Sequence, residues 1–516
     1  MFFVGINDGN VPKKADSRSV LSESDREYLE DKGIVMSASV REKAFTQRFY
    51  LYLIMTKSAE KLYMSYAVKN SEGAALMPSY IIRSMRKMFP QCLKLSYKDT
   101  AQQNSYVTIP HAAYSYEQTE TAANVDEDII DSLTGGRLVG SVTSFENFAE
   151  CPLRYYLRYG VDLKEREEFT FSPVNFGVVL HAVIREVCDE IKKNGESYYL
   201  ISEEKRREMV KRSVAAITDI YQNSILKDSS RNSFMIKRME DLADRTIWAM
   251  GKQLKCGDFV PFVFEHKFNM EVGDGDRKQL MSGTIDRVDI CENDTDVYVR
   301  IIDYKTGKKD FNIVKTYYGI DIQLMVYMEA AMKLVAKMRP GKNVLPAGVF
   351  YYNISDPIVS ATNESAEEIE DKIKGELRLK GMVNSDKDIA EKMDNTEGTS
   401  LNIPVSRKAD GGFDSRRSKV MNTEQFNMLG RFVDVRAVDT ADRIAGGDIR
   451  RSPYKDGQFS SCDRCPYGAV CGFSVDLPGC NYRKLKKFDD EVLWNNIKEG
   501  VDENGKKMDT GAEERD

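Results

Sequence analysis

The sequence has no run of about 18 apolar residues, so nothing in it reads as a membrane-crossing helix and no membrane partner is expected. Its start, MFFVGINDGNVP, lacks a basic stretch followed by a long apolar one, so no signal peptide is expected either. These readings place the chain in the cytoplasm, a reducing compartment where clustered cysteines bind metal more often than they pair. Histidine is scarce, at three in 516 residues, and tryptophan scarcer, at two. The phosphate-loop pattern G-x₄-GK[ST] is missing throughout, which excludes helicase action by this chain alone. Basic excess is missing too: 75 Lys+Arg against 81 Asp+Glu leave a net charge of −6, so contact with nucleic acid must come from local patches. Hydrophobic content of 41% and charged content of 30% describe a globular chain long enough for two to four domains.

Residues 1–95 read as α/β. Phe2-Phe3-Val4-Gly5-Ile6 is a candidate buried strand before an Asn7-Asp8-Gly9 turn, and Ser22 with Asp25 opens a helix over 22–32. Residues 41–58 read as helix and 62–67 as strand; so few strands suggest a fragment of a larger layer. Residues 96–139 lose apolar periodicity and read as a linker. In a second unit, 140–480, Thr143 and Glu146 fit a capping box, and Val179, Leu180, Val183, Ile184, Val187 and Ile191 mark one face of a helix at 174–193. Residues 203–255 are helical and charged. The period then drops to two over 259–272, 280–291 and 297–305, the first pair joined at a GDGD turn, before a helix at 313–338 and a strand at 344–354. Residues 360–422 read as an insertion with loops, 423–447 as helix, and 481–516 as a C-terminal helix whose last sixteen residues are disordered.

Asp303 and Lys305 flank Tyr304, so both leave one face of their strand, at the end of a side lined by Val299 and Ile301. An acid and a lysine so placed suit metal-assisted phosphodiester cleavage. Carboxylates hold a hard cation such as Mg²⁺, the cation activates water, and the ammonium orients that water or neutralises phosphate oxygens. Taken alone, the D-x-K pattern is a strand-end salt bridge. Asp286 in the preceding strand and Glu265 in the one before both reach the same edge. His181, beside the apolar helical stripe, is a further candidate ligand, although a lone helical histidine is usually structural. His266 faces opposite Glu265 and reads as structural; His111 lies in the linker. Gln323 and Tyr327 share a helix face at i, i+4, placed either to hydrogen-bond a threaded strand or simply to pack.

Cys462, Cys465 and Cys471 form C-x₂-C-x₅-C around Pro466 and Gly468. A four-thiolate site needs one more ligand, either Cys480 or Cys151 in Cys151-Pro152-Leu153-Arg154-Tyr155-Tyr156, and zinc and an iron–sulfur cluster fit the spacing equally. A bond to Cys151 would close a loop of about 310 residues and so restrain the unfolded chain. Cys92, Cys188, Cys256 and Cys291 are isolated and read as small buried hydrophobes.

In chain order, Cys151-Pro-Leu-Arg-Tyr-Tyr, Gly177-x₃-His181, Gly283-Thr-Ile-Asp286-Arg-Val-Asp, Ile302-Asp303-Tyr-Lys305-Thr-Gly, Gln323-x₃-Tyr327 and the cysteine trio resemble one family. It is the RecB-family nuclease domain in its iron–sulfur form, as in the AddB-type subunits of bacterial helicase–nucleases that process double-strand breaks. The resemblance covers about residues 140–475. It implies a PD-(D/E)xK core in which Asp286 and Asp303 bind Mg²⁺, His181 and Glu265 are accessory metal-site groups, and Lys305 is the catalytic lysine. It also implies a 4Fe–4S cluster on Cys151, Cys462, Cys465 and Cys471, leaving Cys480 out. Residues 1–95 are similar to the last part of a UvrD-like helicase core. Thr56-Lys57-Ser58 stands where active helicases carry Thr-Arg-Ala, and lysine lacks the planar fork of arginine.

The implied protein is the C-terminal portion of a longer subunit: a Mg²⁺-dependent exonuclease acting 5′→3′ on single-stranded DNA delivered by an AddA-like helicase–nuclease partner. Its setting would be break repair by homologous recombination. Arg154 and Arg158, with the tyrosines beside them, would meet phosphates and bases. The rival expectations are a non-catalytic DNA-binding fragment of such a complex and a free-standing RecB-like exonuclease.

Overall fold

A computed structural model describes residues 1–13, 22–34, 37–69, 75–92, 124–126, 128–130, 139–164, 173–220, 230–272, 279–360, 364–475 and 480–513. Two units emerge, Met1–Tyr116 and Glu117–Asp516. Most of the expected linker, His111 and the GDGD turn lie outside the described residues.

In the first unit β1 (Phe2–Phe3) pairs in parallel with β2 (Tyr63–Met64), and the helices are α1 (Glu23–Asp31), α2 (Val40–Thr56) and α3 (Tyr80–Met88). Ser22 and Asp25 form the expected capping box of α1. The buried strand expected over Phe2–Ile6 is a two-residue edge instead. Phe2 and Val4 are 76% and 69% exposed and only Ile6 is fully buried, because β1 has one neighbour. Asn7 anchors the turn that follows: its Nδ2 donates to the Ala67 carbonyl at 2.7 Å and its Oδ1 accepts the Ala67 N–H at 3.1 Å.

The second unit starts with β3 (Val139–Ser141), α4 (Val142–Glu150) and α5 (Pro152–Tyr155), which runs on as a π-turn over Tyr156–Gly160. Ser141, not Thr143, caps α4: its Oγ accepts the Ser144 N–H at 3.1 Å, which leaves Glu146 to turn elsewhere. Three long helices follow, α6 (Pro173–Lys193), α7 (Glu203–Ile220) and α8 (Ser230–Lys255). All six apolar residues named for α6 are at most 1% exposed. Each such side chain contributes roughly 1.5–3 kcal/mol of burial.

The period-two stretches form β4 (Val260–Val272), β5 (Gln279–Glu292) and β6 (Asp296–Lys305), paired antiparallel in sequence. The crossover from β6 to the parallel strand β7 (Asn343–Asn353) is not one helix over 313–338. It is α9 (Ile313–Tyr317) and α10 (Gln323–Met338), split where Gly319 takes φ 77, a left-handed conformation open to glycine. Residues 360–422 are not mere insertion. They carry α11 (Ala366–Glu376), β8 (Lys380–Asn384), α12 (Lys387–Met393) and β9 (Val420–Met421), and β8 and β9 extend the main sheet. Their polar composition hides a thin apolar set, Leu377, Leu379, Val383, Ile389 and Met393, all buried.

After α13 (Thr423–Ala445) come a small sheet of β10 (Tyr454–Asp456), β11 (Phe459–Ser460) and β12 (Arg483–Lys484), the short helix α14 (Gly468–Cys471), and α15 (Asp490–Glu513). The tail expected to be disordered continues α15 as helix to Glu513, nucleated by Leu493 and Ile497, an i, i+4 pair buried in the same core as α13. The sheet runs β3-β5-β6-β7-β8-β9, with β4 on the other edge of β5. One face packs on α6–α8, the other on α10, α13 and α15.

A charged triad sits inside this sheet. Arg287 makes two bonds of 2.6 Å to Asp289, Arg300 adds one of 2.8 Å from β6, and all three are at most 1% exposed. Removing one partner strands a buried charge, so Asp289→Ala should lower unfolding free energy by about 3–5 kcal/mol in a denaturant titration. A loss under about 1 kcal/mol would contradict the assignment.

Burial, then the hydrogen bond and charge of Glu329 on α10, raise the Asp434 carboxyl on α13 from 3.8 to about 8. Folding therefore favours the protonated acid, and its contribution falls as the pH rises between these two values. Asp434→Asn should flatten the decline in Tm between about pH 4 and about pH 8; an unchanged decline would refute this.

Candidate active site

The ladder between β5 and β6 stops at the Arg287–Ile302 pair. Beyond it a side chain replaces a backbone partner: Asp286 Oδ2 accepts the Tyr304 N–H at 2.6 Å. On the other side of β5, Glu265 interrupts the β4–β5 pairing opposite Asp286, with φ at 47. For a residue with a Cβ this left-handed backbone costs about 1–3 kcal/mol. From α6, His181 Nδ1 stands 3.5 Å from Asp286 Oδ1 and 3.7 Å from Glu265 Oε1. Donor atoms of these three residues lie within 4.8 Å of one another. Burial opposes charge on His181, yet hydrogen bonds to Asp286 and Glu265 outweigh it and raise the imidazolium to about 10. One imidazole and two carboxylates fit a hard divalent cation, which would take the place of that proton.

Asp303, expected as a ligand with His181 and Asp286, lies outside the set of donor atoms within 4.8 Å of one another, and Glu265 lies inside it. The reason is its own partners. Gln323 donates to Asp303 Oδ1 at 2.9 Å and accepts from Lys305 Nζ at 3.1 Å, while Lys305 Nζ stands 2.5 Å from Asp303 Oδ2. That last contact sets the buried Oδ2 directly against the lysine ammonium. Burial and then the nearby charge of Asp286 raise the Asp303 carboxyl to about 7, against the pull of Lys305. Tyr327 is buried, edge-on to Phe268 at 5.6 Å, and its hydroxyl accepts from Gln323 at 3.0 Å. The two residues read as strand contacts are thus engaged inside the site.

One participant escaped the sequence reading. Glu146, assigned to a capping box, accepts the backbone N–H groups of Ile322 and Gln323 at 2.9 and 3.0 Å. Nothing in its local spacing announces partners 176 residues away.

Cys151 sits between α4 and α5, and hydrogen bonds hold its surroundings to the C-terminal loop: Ser461 Oγ donates to the Glu150 carbonyl at 3.4 Å and Leu153 N–H to the Arg450 carbonyl at 3.3 Å. Burial first, and then charge on Cys151, Cys465 and Cys471, raise the Cys462 thiol to about 11 against the pull of a hydrogen bond with Tyr482, as thiols sharing one locality do. Cys480 is buried. Of the four isolated cysteines, Cys188 and Cys291 are buried as expected, Cys256 is partly exposed, and Cys92 is exposed, lying just past the end of α3. On the Cys151 segment, Arg154 is ion-paired to Glu150 and Tyr155 packs edge-on against Phe148 at 5.6 Å, while Arg158 and Tyr159 are exposed. No helix among the described residues is long and apolar enough to cross a membrane.

Residues 140–472 match the model of the PD-(D/E)XK nuclease superfamily. The whole chain is similar to proteins named as the B subunit of an ATP-dependent helicase/deoxyribonuclease. It is 31% identical to the one from Clostridium acetobutylicum, over 98% of this chain and 48% of the relative. For Lachnoclostridium phytofermentans the figures are 32%, 100% and 48%, and for Caldanaerobacter subterraneus 30%, 100% and 49%. The chain spans about half the length of these relatives. A family match across most of the second unit, with Asp303 and Lys305 at the end of β6 beside Asp286, means that the chain belongs to the PD-(D/E)XK nuclease superfamily.

Proposed function

We propose that this chain carries the nuclease of an AddAB-type helicase–nuclease: a Mg²⁺-dependent exonuclease acting on one DNA strand of an unwound duplex end. The observation that carries the reading is the convergence of His181, Glu265 and Asp286 with the Asp303–Lys305–Gln323 group at one end of the sheet. His181, Asp286 and Asp303 would hold the ion, with Glu265 beside them. Bound there, Mg²⁺ lowers the pKa of water and offsets charge growing on phosphate. Lys305 is held ready to meet a phosphate oxygen, and Gln323 keeps its ammonium and the Asp303 carboxylate in one register. Arg158 and Tyr159 offer an exposed cation and ring to a strand; Arg154 acts instead through Glu150.

An AddA-like subunit supplies the motor, which agrees with the names of the similar proteins and with the missing phosphate loop. The 5′→3′ direction, the role in homologous recombination and the cytoplasmic setting follow the family resemblance. Cys151, Cys462, Cys465 and Cys471 would carry a 4Fe–4S cluster.

Asp303→Ala should cut Mg²⁺-dependent release of acid-soluble nucleotides from labelled single-stranded DNA by about 100-fold or more, with circular dichroism unchanged. Undiminished release would end the catalytic assignment. Cys151→Ser, purified without air, should lose iron and the absorbance of the cluster and melt at lower temperature. Zinc in the unsubstituted chain, or full iron content in the variant, would contradict the cluster.

A further inference from the structure

We infer that Glu146 is a positioning residue that sets the catalytic lysine and aspartate from the cysteine-bearing arm; its kinetic consequence rests on the nuclease reading above. Helix α10 opens with exposed backbone donors, as every helix does, and Ile322 at its N-cap offers no side-chain oxygen. The cap comes from elsewhere in the chain. Glu146 Oε1, on α4, accepts both the Ile322 and the Gln323 N–H groups. A carboxylate at a helix N-terminus is also favoured by the helix dipole.

Gln323 is the first residue of α10, and its amide is divided among Asp303, Lys305 and Tyr327 at 2.9, 3.1 and 3.0 Å. One carboxylate oxygen thus decides where α10 begins, and the first side chain of α10 decides how Asp303 and Lys305 stand. Asp321, two residues earlier, is pinned from β7 by the Tyr351 hydroxyl at 2.6 Å and from the loop after β6 by Lys309 at 3.0 Å. With the Thr316 hydroxyl donating to the Asp321 carbonyl at 2.8 Å, the segment Asp321–Gln323 is gripped from four directions, and only the Glu146 grip comes from the element that ends at Cys151. A serine at position 322 would cap the helix equally well. The distant glutamate does more, since it makes one short helix common to the cysteine loop and the catalytic strand.

The test uses the full chain with Glu146→Ala, Glu146→Gln, Gln323→Ala and the Glu146→Ala/Gln323→Ala pair. Turnover is followed on short single-stranded DNA with Mg²⁺, and amide hydrogen exchange is followed separately. Glu146→Ala should lower kcat about 10- to 100-fold with KM for DNA near that of the unsubstituted chain. Glu146→Gln, which still presents an acceptor oxygen, should restore most of it. The double variant should be no slower than Gln323→Ala alone, because both act through one contact. Exchange over residues 320–327 should quicken in Glu146→Ala while α6 stays protected. Should that variant unfold, Glu146→Asp, whose shorter arm withdraws the oxygen, gives the same comparison.

Losses that multiply in the double variant, or unchanged exchange at 320–327, would overturn the inference. An unsubstituted chain that releases no nucleotide, with exchange quickened in the variant, would end the nuclease reading and leave Glu146 as the residue that places Gln323.

Discussion

The site depends on a ladder that ends early. β5 and β6 are bonded up to Arg287 and Ile302, and at the next position the carboxylate of Asp286 takes the Tyr304 N–H in place of a strand partner. A buried carboxylate is tolerated there because the orphan donor satisfies it and it satisfies the donor. The two strands, held just upstream by Arg287, Asp289 and Arg300, cannot slide without breaking that buried triad. Register on one side and the early end on the other bring Asp286 close enough for its charge to raise the Asp303 carboxyl. Every further feature, from the kinked Glu265 to the helix presenting His181, is arranged around that edge.

Charge balance describes the same edge. Asp286, Glu265 and Asp303 form a concentration of negative potential in a poorly solvated place, answered by a protonated His181 and by Lys305. Such a site is poised for a divalent cation, since adding one releases the imidazole proton and relieves the mutual repulsion of the acids. The cysteine group is the counterpart at the far end of α4. Burial, with the neighbouring thiols, raises the Cys151, Cys462 and Cys471 thiols, and a metal cluster would remove that penalty by taking them as thiolates.

Much of this was legible in the sequence because alternation and helical period are local. The three strands, the α6 stripe and the shared face of Asp303 and Lys305 follow from side-chain direction alone. Whatever depends on distant partners was not legible. Thr143 and Glu146 satisfy a capping pattern, yet Ser141 makes the cap and Glu146 serves a helix 176 residues on. The left-handed backbone of Glu265 leaves no mark in composition, since non-glycine residues adopt it only when their surroundings compel it. Gly319 carried a readable signal, a glycine inside a helical stretch, and its break is what makes Gln323 the first residue of a helix. Polar composition likewise masked β8 and β9, whose few buried residues complete the sheet.

In the proposed site Asp286 and Asp303, from neighbouring strands, serve one cation together with His181. Anomalous scattering from crystals soaked in Mn²⁺ addresses it directly. The account predicts a single strong peak within about 2.0–2.3 Å of oxygens from both aspartates and of an imidazole nitrogen of His181. A peak that excludes Asp303, or manganese bound only away from the end of β6, would contradict it.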